Sequence, residues 1–170
     1  MDVYYQTFAT PVGNITAACN DHHLLMLGWE SSQPLHAKVQ RRLDIVNATW
    51  HSQCHPILDQ TRQQLDAYFN GQLKHFSVPL ALRGTDFQKK VWRALLAIPW
   101  GTTISYAELA KAIDNPLAVR AVANANGANA LPIIVPCHRV IGSDGGLAGY
   151  TGGTHIKRHL LATEGISFND

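Results

Sequence analysis

The spacing of apolar positions changes character along this chain. At the front they come in short β-branched and aromatic runs, Val3–Phe8, Ile15–Ala18 and Leu24–Trp29. Thr10-Pro11-Val12-Gly13-Asn14 follows the first run and Asn20-Asp21 separates the other two, and both carry turn chemistry. This predicts a small antiparallel sheet. Leu58, Leu65, Tyr68 and Phe69 then recur at helical spacing, with Asn70-Gly71 as a C-terminal stop. The pattern breaks near Ala81–Gly84, which places a boundary between a front domain over 1–82 and a second domain over 83–170.

Beyond the boundary the period is helical. Thr85-Asp86-Phe87-Gln88 is a capping-box pattern, in which the first side chain caps the fourth residue's N–H and the fourth side chain reaches back. It opens a helix with Phe87, Val91, Leu95 and Ile98 on its apolar face, ended by Pro99 and Gly101. A second box, Ser105-Tyr106-Ala107-Glu108, opens a helix with Tyr106, Leu109, Ala110 and Ile113 on one face. Asn115-Pro116 is expected to start a third, with proline at the first helical position, and Gly127 to close it. In that helix Ala118, Ala121, Val122 and Ala125 are expected to face the core, while Arg120, Asn124 and Gly127 fall on another side. Two short helices joined by a tight turn fit either a helix-turn-helix or an ordinary helical hairpin. The apolar run Ile133-Ile134-Val135 reads as a strand or extended segment delivering Pro136-Cys137-His138-Arg139.

With 46% hydrophobic and 15% charged residues the chain can build a packed core. No apolar run approaches the ~20 residues that span a bilayer, and Met1–Gln6 shows no basic region followed by an apolar stretch, so neither membrane nor signal peptide is expected. The first 84 residues carry six Lys/Arg against six Asp/Glu, the remainder eight against six, which accounts for the net charge of +2. From Asn115 to Ser143 there is no acidic residue, whereas Arg120 and Arg139 are present. Such a surface approaches phosphates without repulsion; equally, the stretch is apolar enough to be buried. Three cysteines, Cys19, Cys54 and Cys137, suit free thiols in a reducing compartment; the expected location is the cytoplasm for a bacterial protein and the nucleus for a eukaryotic one.

Cys137 is followed directly by His138 and Arg139. Thiolate is the nucleophile, and an ordinary cysteine has a pKa of about 8.5, so a neighbouring imidazole, a helix N-terminus or Arg139 is expected to lower it. The competing reading is a small buried hydrophobe, which is retained for Cys19 and Cys54. Cys19, His22, His23, Cys54 and His55 do not make a clean zinc spacing, and no metal is expected.

Pro136-Cys137-His138-Arg139-Val140 resembles the active-site signature of the O6-alkylguanine-DNA alkyltransferases. Gly101–Ala110 is similar to that family's tyrosine-bearing helix, and Asn115–Val122 to its arginine-finger helix. Asn126-Gly127-Ala128-Asn129, Gly149–Gly153, and Lys157 through Leu160-Leu161 to Glu164-Gly165 follow in the family's order. The strong part covers about residues 85–166; the front agrees more loosely through Thr10–Gly13 and Leu65–Gly71. Ala130 stands where the family commonly has proline.

The resemblance implies an α/β (α+β) fold: a small N-terminal ribonuclease-H-like sheet domain, then a mostly helical C-terminal domain with a winged-helix-like helix-turn-helix. It implies single-turnover DNA repair, with the alkyl group of O6-alkylguanine transferred irreversibly to Cys137, and O4-alkylthymine as a second candidate substrate. Its implied catalytic set is Cys137, His138, Glu164, Tyr106 and Lys157. DNA is met in the minor groove by Arg120, Tyr106, Ala121 and Asn115. The flipped base is taken by Val140, Tyr150, Thr151 and Asn129. No cofactor is expected, the partner is double-stranded DNA, and the state is a monomer. Two competitors are a helix-turn-helix protein that binds lesions without transfer and a cysteine hydrolase, for which no oxyanion-hole motif is recognisable.

Overall fold

The computed structural model describes residues 1–30, 45 and 47–168. The remaining residues of the expected domains, 31–44, 46 and 169–170, lie outside the described part. The chain divides into two compact units, Met1–Gly84 and Thr85–Asp170.

Among the described residues the first unit is a four-stranded sheet with one helix. Strands β1 (Asp2–Thr10), β2 (Gly13–Cys19) and β3 (Leu24–Trp29) form an antiparallel meander. Thr10 secures its first turn by donating its hydroxyl to the Gly13 carbonyl (2.6 Å), and Gly13 takes a φ of 118° that its missing Cβ permits. A fourth strand, β4 (Thr49–Ser52), was not expected; it pairs parallel to β1, giving the order β3-β2-β1-β4. Four residues with no clear alternation carry too little periodic signal to be read from sequence. Helix α1 (Pro56–Phe69) packs on β1 and β2, burying Leu58, Leu65 and Tyr68 over a core that includes Val3, Ile15 and Leu27.

The second unit is mostly helical. Helix α2 (Asp86–Leu96) and helix α3 (Tyr106–Ala112) both begin with a complete capping box, at Thr85/Gln88 and Ser105/Glu108. Each such cap is worth about 1 kcal/mol and fixes where the helix starts. Val91, Leu95, Leu109 and Ile113 are buried as their spacing predicts, and Trp92 joins them, donating its indole N–H to the Ala125 carbonyl (2.9 Å). That bond ties α2 to helix α4 (Val119–Gly127). Residues 113–118 turn between α3 and α4, forming the helix-turn-helix.

Two expectations are corrected here. Helix α4 starts at Val119 rather than at Pro116: Asp114 adopts a φ of 59°, Ala118 N–H bonds to the Asn115 carbonyl (3.0 Å), and these bonds close a turn around Pro116. Ala121 is exposed, so the buried face of α4 is Val122, Ala125 and Asn126. The run Ile133–Val135 is not a strand. It is a buried turn in which Ile133 has a φ of 75°. Asn129 explains it. Its side chain accepts from Leu131 N–H (2.9 Å) and donates to the Val135 carbonyl (2.8 Å), so it satisfies backbone groups that an extended strand would need partners for.

A 3-10 turn, Cys137–Arg139, follows, then strand β6 (Val140–Ile141), paired parallel to β5 (Ile104–Ser105). Helix α5 (Thr154–Thr163) closes the unit, with Glu164 at its C-terminal cap.

Candidate active site

The 3-10 turn places Cys137, His138 and Arg139 on one tight bend, and the C-terminus of α5 brings Glu164 to it. His138 Nε2 lies 2.5 Å from Glu164 Oε2, and neither side chain is exposed. The other carboxylate oxygen, Oε1, accepts from Arg139 Nε (2.8 Å) and from Gly101 N–H (3.1 Å). Carboxylates only accept, so the short contact means that Nε2 carries the proton and Nδ1 presents a lone pair. Nδ1 is buried and has no hydrogen-bond partner among the described residues. The geometry is that of a base oriented by a carboxylate, with its other nitrogen left unpartnered.

Cys137 is 4% exposed. Burial pushes its thiol pKa up, and hydrogen bonding from Asn129 and Tyr150 and the charge of Lys157 oppose that rise without reversing it. The expectation of a lowered thiol pKa is therefore corrected: a thiolate here would sit in a poorly solvating pocket. Arg139 does not act on the sulfur, because its charge is spent on Glu164. The resting group is a thiol and needs a base. Burial lowers the pKa of His138, keeping the imidazole neutral and able to accept.

Lys157 is fully buried; its ammonium donates to the carbonyls of Val140 (2.7 Å) and Gly149 (3.3 Å). Burial brings its pKa down to about 8, with the Cys137 sulfur pulling the other way. Burial also raises the pKa of Tyr106, which keeps its phenol a proton donor.

A cavity of about 330 Å³ opens over the sulfur, lined among others by Tyr106, Asn126, Cys137, Gly149, Tyr150 and Thr151. Val140, expected in the base pocket, does not line it; its side chain is fully buried and its carbonyl is engaged by Lys157. Asn129, also expected there, is 4% exposed and lies behind the turn as its hydrogen-bonded brace. Asn126 was missed. Its Nδ2 donates to the Cys137 carbonyl (3.5 Å), and Oδ1 is buried with no hydrogen-bond partner among the described residues. Ala123, Asn126 and Gly127 share one face of α4 at i, i+3 and i+4, and that spacing was the available signal.

Arg120, Ala121 and Asn115 are all exposed on the helix-turn-helix and lie outside the cavity lining. The side chain of Leu117, in the turn between them, is 96% exposed. Arg139, expected among the phosphate contacts, is instead 6% exposed, bound to Glu164 and to the Ile98 carbonyl (2.7 Å), and unavailable to a polyanion. Among the described residues no group of three His, Cys, Asp or Glu is placed to hold a metal ion.

The fold and the site together define a class: a protein with a buried, histidine-flanked thiol beneath a helix-turn-helix. Comparison with known proteins narrows it. Residues 86–166 match the model of the 6-O-methylguanine DNA methyltransferase DNA binding domain, and residues 3–82 that of the 6-O-methylguanine DNA methyltransferase ribonuclease-like domain. The constitutive methylated-DNA–protein-cysteine methyltransferase of Bacillus subtilis is 44% identical over 98% of each chain. The Methanosarcina acetivorans methylated-DNA–protein-cysteine methyltransferase is 42% identical over 96% of this chain and 99% of its own. A crystal structure of Mycobacterium tuberculosis OGT in complex with DNA superposes with a TM-score of 0.81 at 44% identity, covering 95% of this chain and 92% of that one. The chain belongs to the 6-O-methylguanine DNA methyltransferase family.

Proposed function

We propose that this protein repairs double-stranded DNA by moving the alkyl group of an O6-alkylguanine onto Sγ of Cys137, once per molecule. The observation that carries this reading is a buried thiol next in the chain to a neutral imidazole whose Nε2 is fixed by Glu164 and whose buried Nδ1 has no hydrogen-bond partner among the described residues. The alkyl carbon is saturated, so the reaction is an in-line displacement: the S–C bond forms as the C–O6 bond breaks. The thiol proton passes to His138 Nδ1 through an intervening water, and the bonding pair leaves with the guanine. Tyr106, its phenol held protonated by burial, supplies a hydrogen bond or proton to the departing base. Lys157 offsets the charge that develops on sulfur. The product is a thioether. Thiolate leaves poorly from a saturated carbon, so nothing restores the cysteine.

The base reaches the cavity only after leaving the stack, which costs a few kcal/mol. In this reading the helix-turn-helix enters the minor groove, Asn115 and Ala121 allow close approach, and Arg120 fills the vacated position. The carbonyl of Cys137 takes the guanine amine, Thr151 N–H meets O6, Tyr150 flanks the ring and Asn129 braces the turn. The protein works as a monomer in the cytoplasm.

The test is intact mass before and after incubation with a duplex containing O6-methylguanine. One methyl group per protein is expected, on the tryptic peptide Ala121–Arg139, and none on Cys137→Ala, which still binds DNA. Methylation at Cys54 with Cys137 clean refutes the proposal, as does binding of the lesion without any adduct.

A further inference from the structure

We propose that Arg139 is a positioning residue of the transfer: by taking one oxygen of Glu164 it leaves the other for His138 and holds the imidazole as a neutral base. This rests on the reading of His138 as the base that accepts the thiol proton.

The argument starts from charge. A carboxylate buried against a histidine and nothing else favours the doubly protonated imidazole, because the ion pair then cancels. Here Glu164 is already cancelled. Arg139 Nε donates to Oε1 (2.8 Å), the arginine is 6% exposed, and the carboxylate is wholly buried. A proton added to His138 would leave this buried group with a net positive charge. The charged groups acting on the imidazole are Glu164, Arg139 on the same turn and Lys157 on α5. Arg139 and Lys157 both oppose imidazolium formation; Glu164 alone favours it.

Geometry points the same way. Arg139 Nη1 donates to the Ile98 carbonyl (2.7 Å), and Gly101 N–H joins Arg139 on Oε1 (3.1 Å). Three donors therefore fix the carboxylate plane, and the planar guanidinium suits this two-ended task better than an ammonium does. Nucleophile, base and carboxylate anchor are three consecutive residues of one 3-10 turn, so a shift of the anchor is a shift of the other two.

The experiment follows the pH dependence of Cys137 alkylation by O6-methylguanine duplex, alongside an NMR titration of the His138 ring, in wild type, Arg139→Met and Arg139→Lys. In R139M the acid limb of the rate and the ring titration should both move up by about one unit, the size expected for losing one close buried charge. Through protonation, transfer at neutral pH should fall by no more than about threefold, reaching about tenfold only below the wild-type limb. R139K keeps the charge but cannot span Glu164 and Ile98, so its limb should stay at the wild-type position while its rate falls. An unmoved limb in R139M with the same slowing at every pH overturns the proposal, because it marks a purely structural role. A limb that moves in R139K overturns it as well. Should R139M fail to fold by circular dichroism, Arg139→Gln takes its place: it removes the charge but can still donate to Glu164, and the same upward move of limb and ring titration is expected, an unmoved limb overturning the proposal. If wild-type Cys137 takes no alkyl group, the repair reading fails; the ring titration still reports whether Arg139 controls His138.

Discussion

The three cysteines show how far environment outweighs residue type. Burial raises the pKa of Cys19 to about 12 and that of Cys137 above its ordinary value. Cys54 is exposed and accepts a hydrogen bond from Gln6 (3.3 Å). Thiol reagents attack thiolate, so rates follow access and ionisation together. In the native protein, iodoacetamide should label Cys54 first and leave Cys19 and Cys137 largely unmodified over the same time; in denaturant the three should converge. Peptide mapping over a time course checks this. Fast native labelling of Cys137 would mean that its thiolate is preformed and that His138 is not needed as a base. Nothing in the order Pro136-Cys137-His138-Arg139 distinguishes these cases, because the outcome depends on how completely the turn is enclosed. The sequence suggested Arg139 as a partner for sulfur or phosphate; its real partner, Glu164, is 25 residues away along the chain.

At the scale of elements, local chemistry was legible and competition between local choices was not. Both capping boxes start helices at the expected residues because the four residues concerned satisfy one another. The strand expected over Ile133–Val135 gave way to a turn because one side chain, Asn129, outcompeted the extended form for the same backbone groups. Helix α4 lost its first turn to the bond from Ala118 N–H to the Asn115 carbonyl. That shortening leaves Arg120 in the first turn of α4, at the mouth of the helix-turn-helix and exposed. If its work is to replace an extruded nucleotide, Arg120→Ala should slow repair of duplex DNA by about a hundredfold or more, since unstacking costs a few kcal/mol. Its reaction with free O6-benzylguanine, which needs no extrusion, should stay within about twofold of wild type. Equal slowing of both substrates would place Arg120 in the fold or the chemistry instead.

For the whole molecule, every proposed site residue lies in the unit Thr85–Asp170. Arg139 and Lys157 are consumed internally, which leaves Arg120 and Lys111 as the exposed cations closest in sequence to the helix-turn-helix. Duplex binding should therefore weaken with salt at a log–log slope of about −2, by the usual value of about −0.9 per phosphate neutralised. If the helix-turn-helix enters the minor groove as proposed, binding should vary little with sequence, because that groove presents a degenerate pattern. Fluorescence anisotropy on several unmodified duplexes at graded salt measures both. A steep slope would reveal a wider basic surface than these two side chains, and strong sequence preference would point to base reading.

The enclosure of Cys137 bears also on how long the protein keeps its capacity. A chain that acts once is a reagent, and the repair a cell can perform is set by how many copies remain unspent. An exposed thiolate would be consumed by peroxides, disulfides and stray electrophiles while waiting for damage. On the proposed mechanism, a thiol that is 4% exposed and protonated at rest is ionised only as its proton leaves for His138, when a base fills the space above it. The same burial that makes the nucleophile slow makes it durable, and each stored copy stays matched to one lesion.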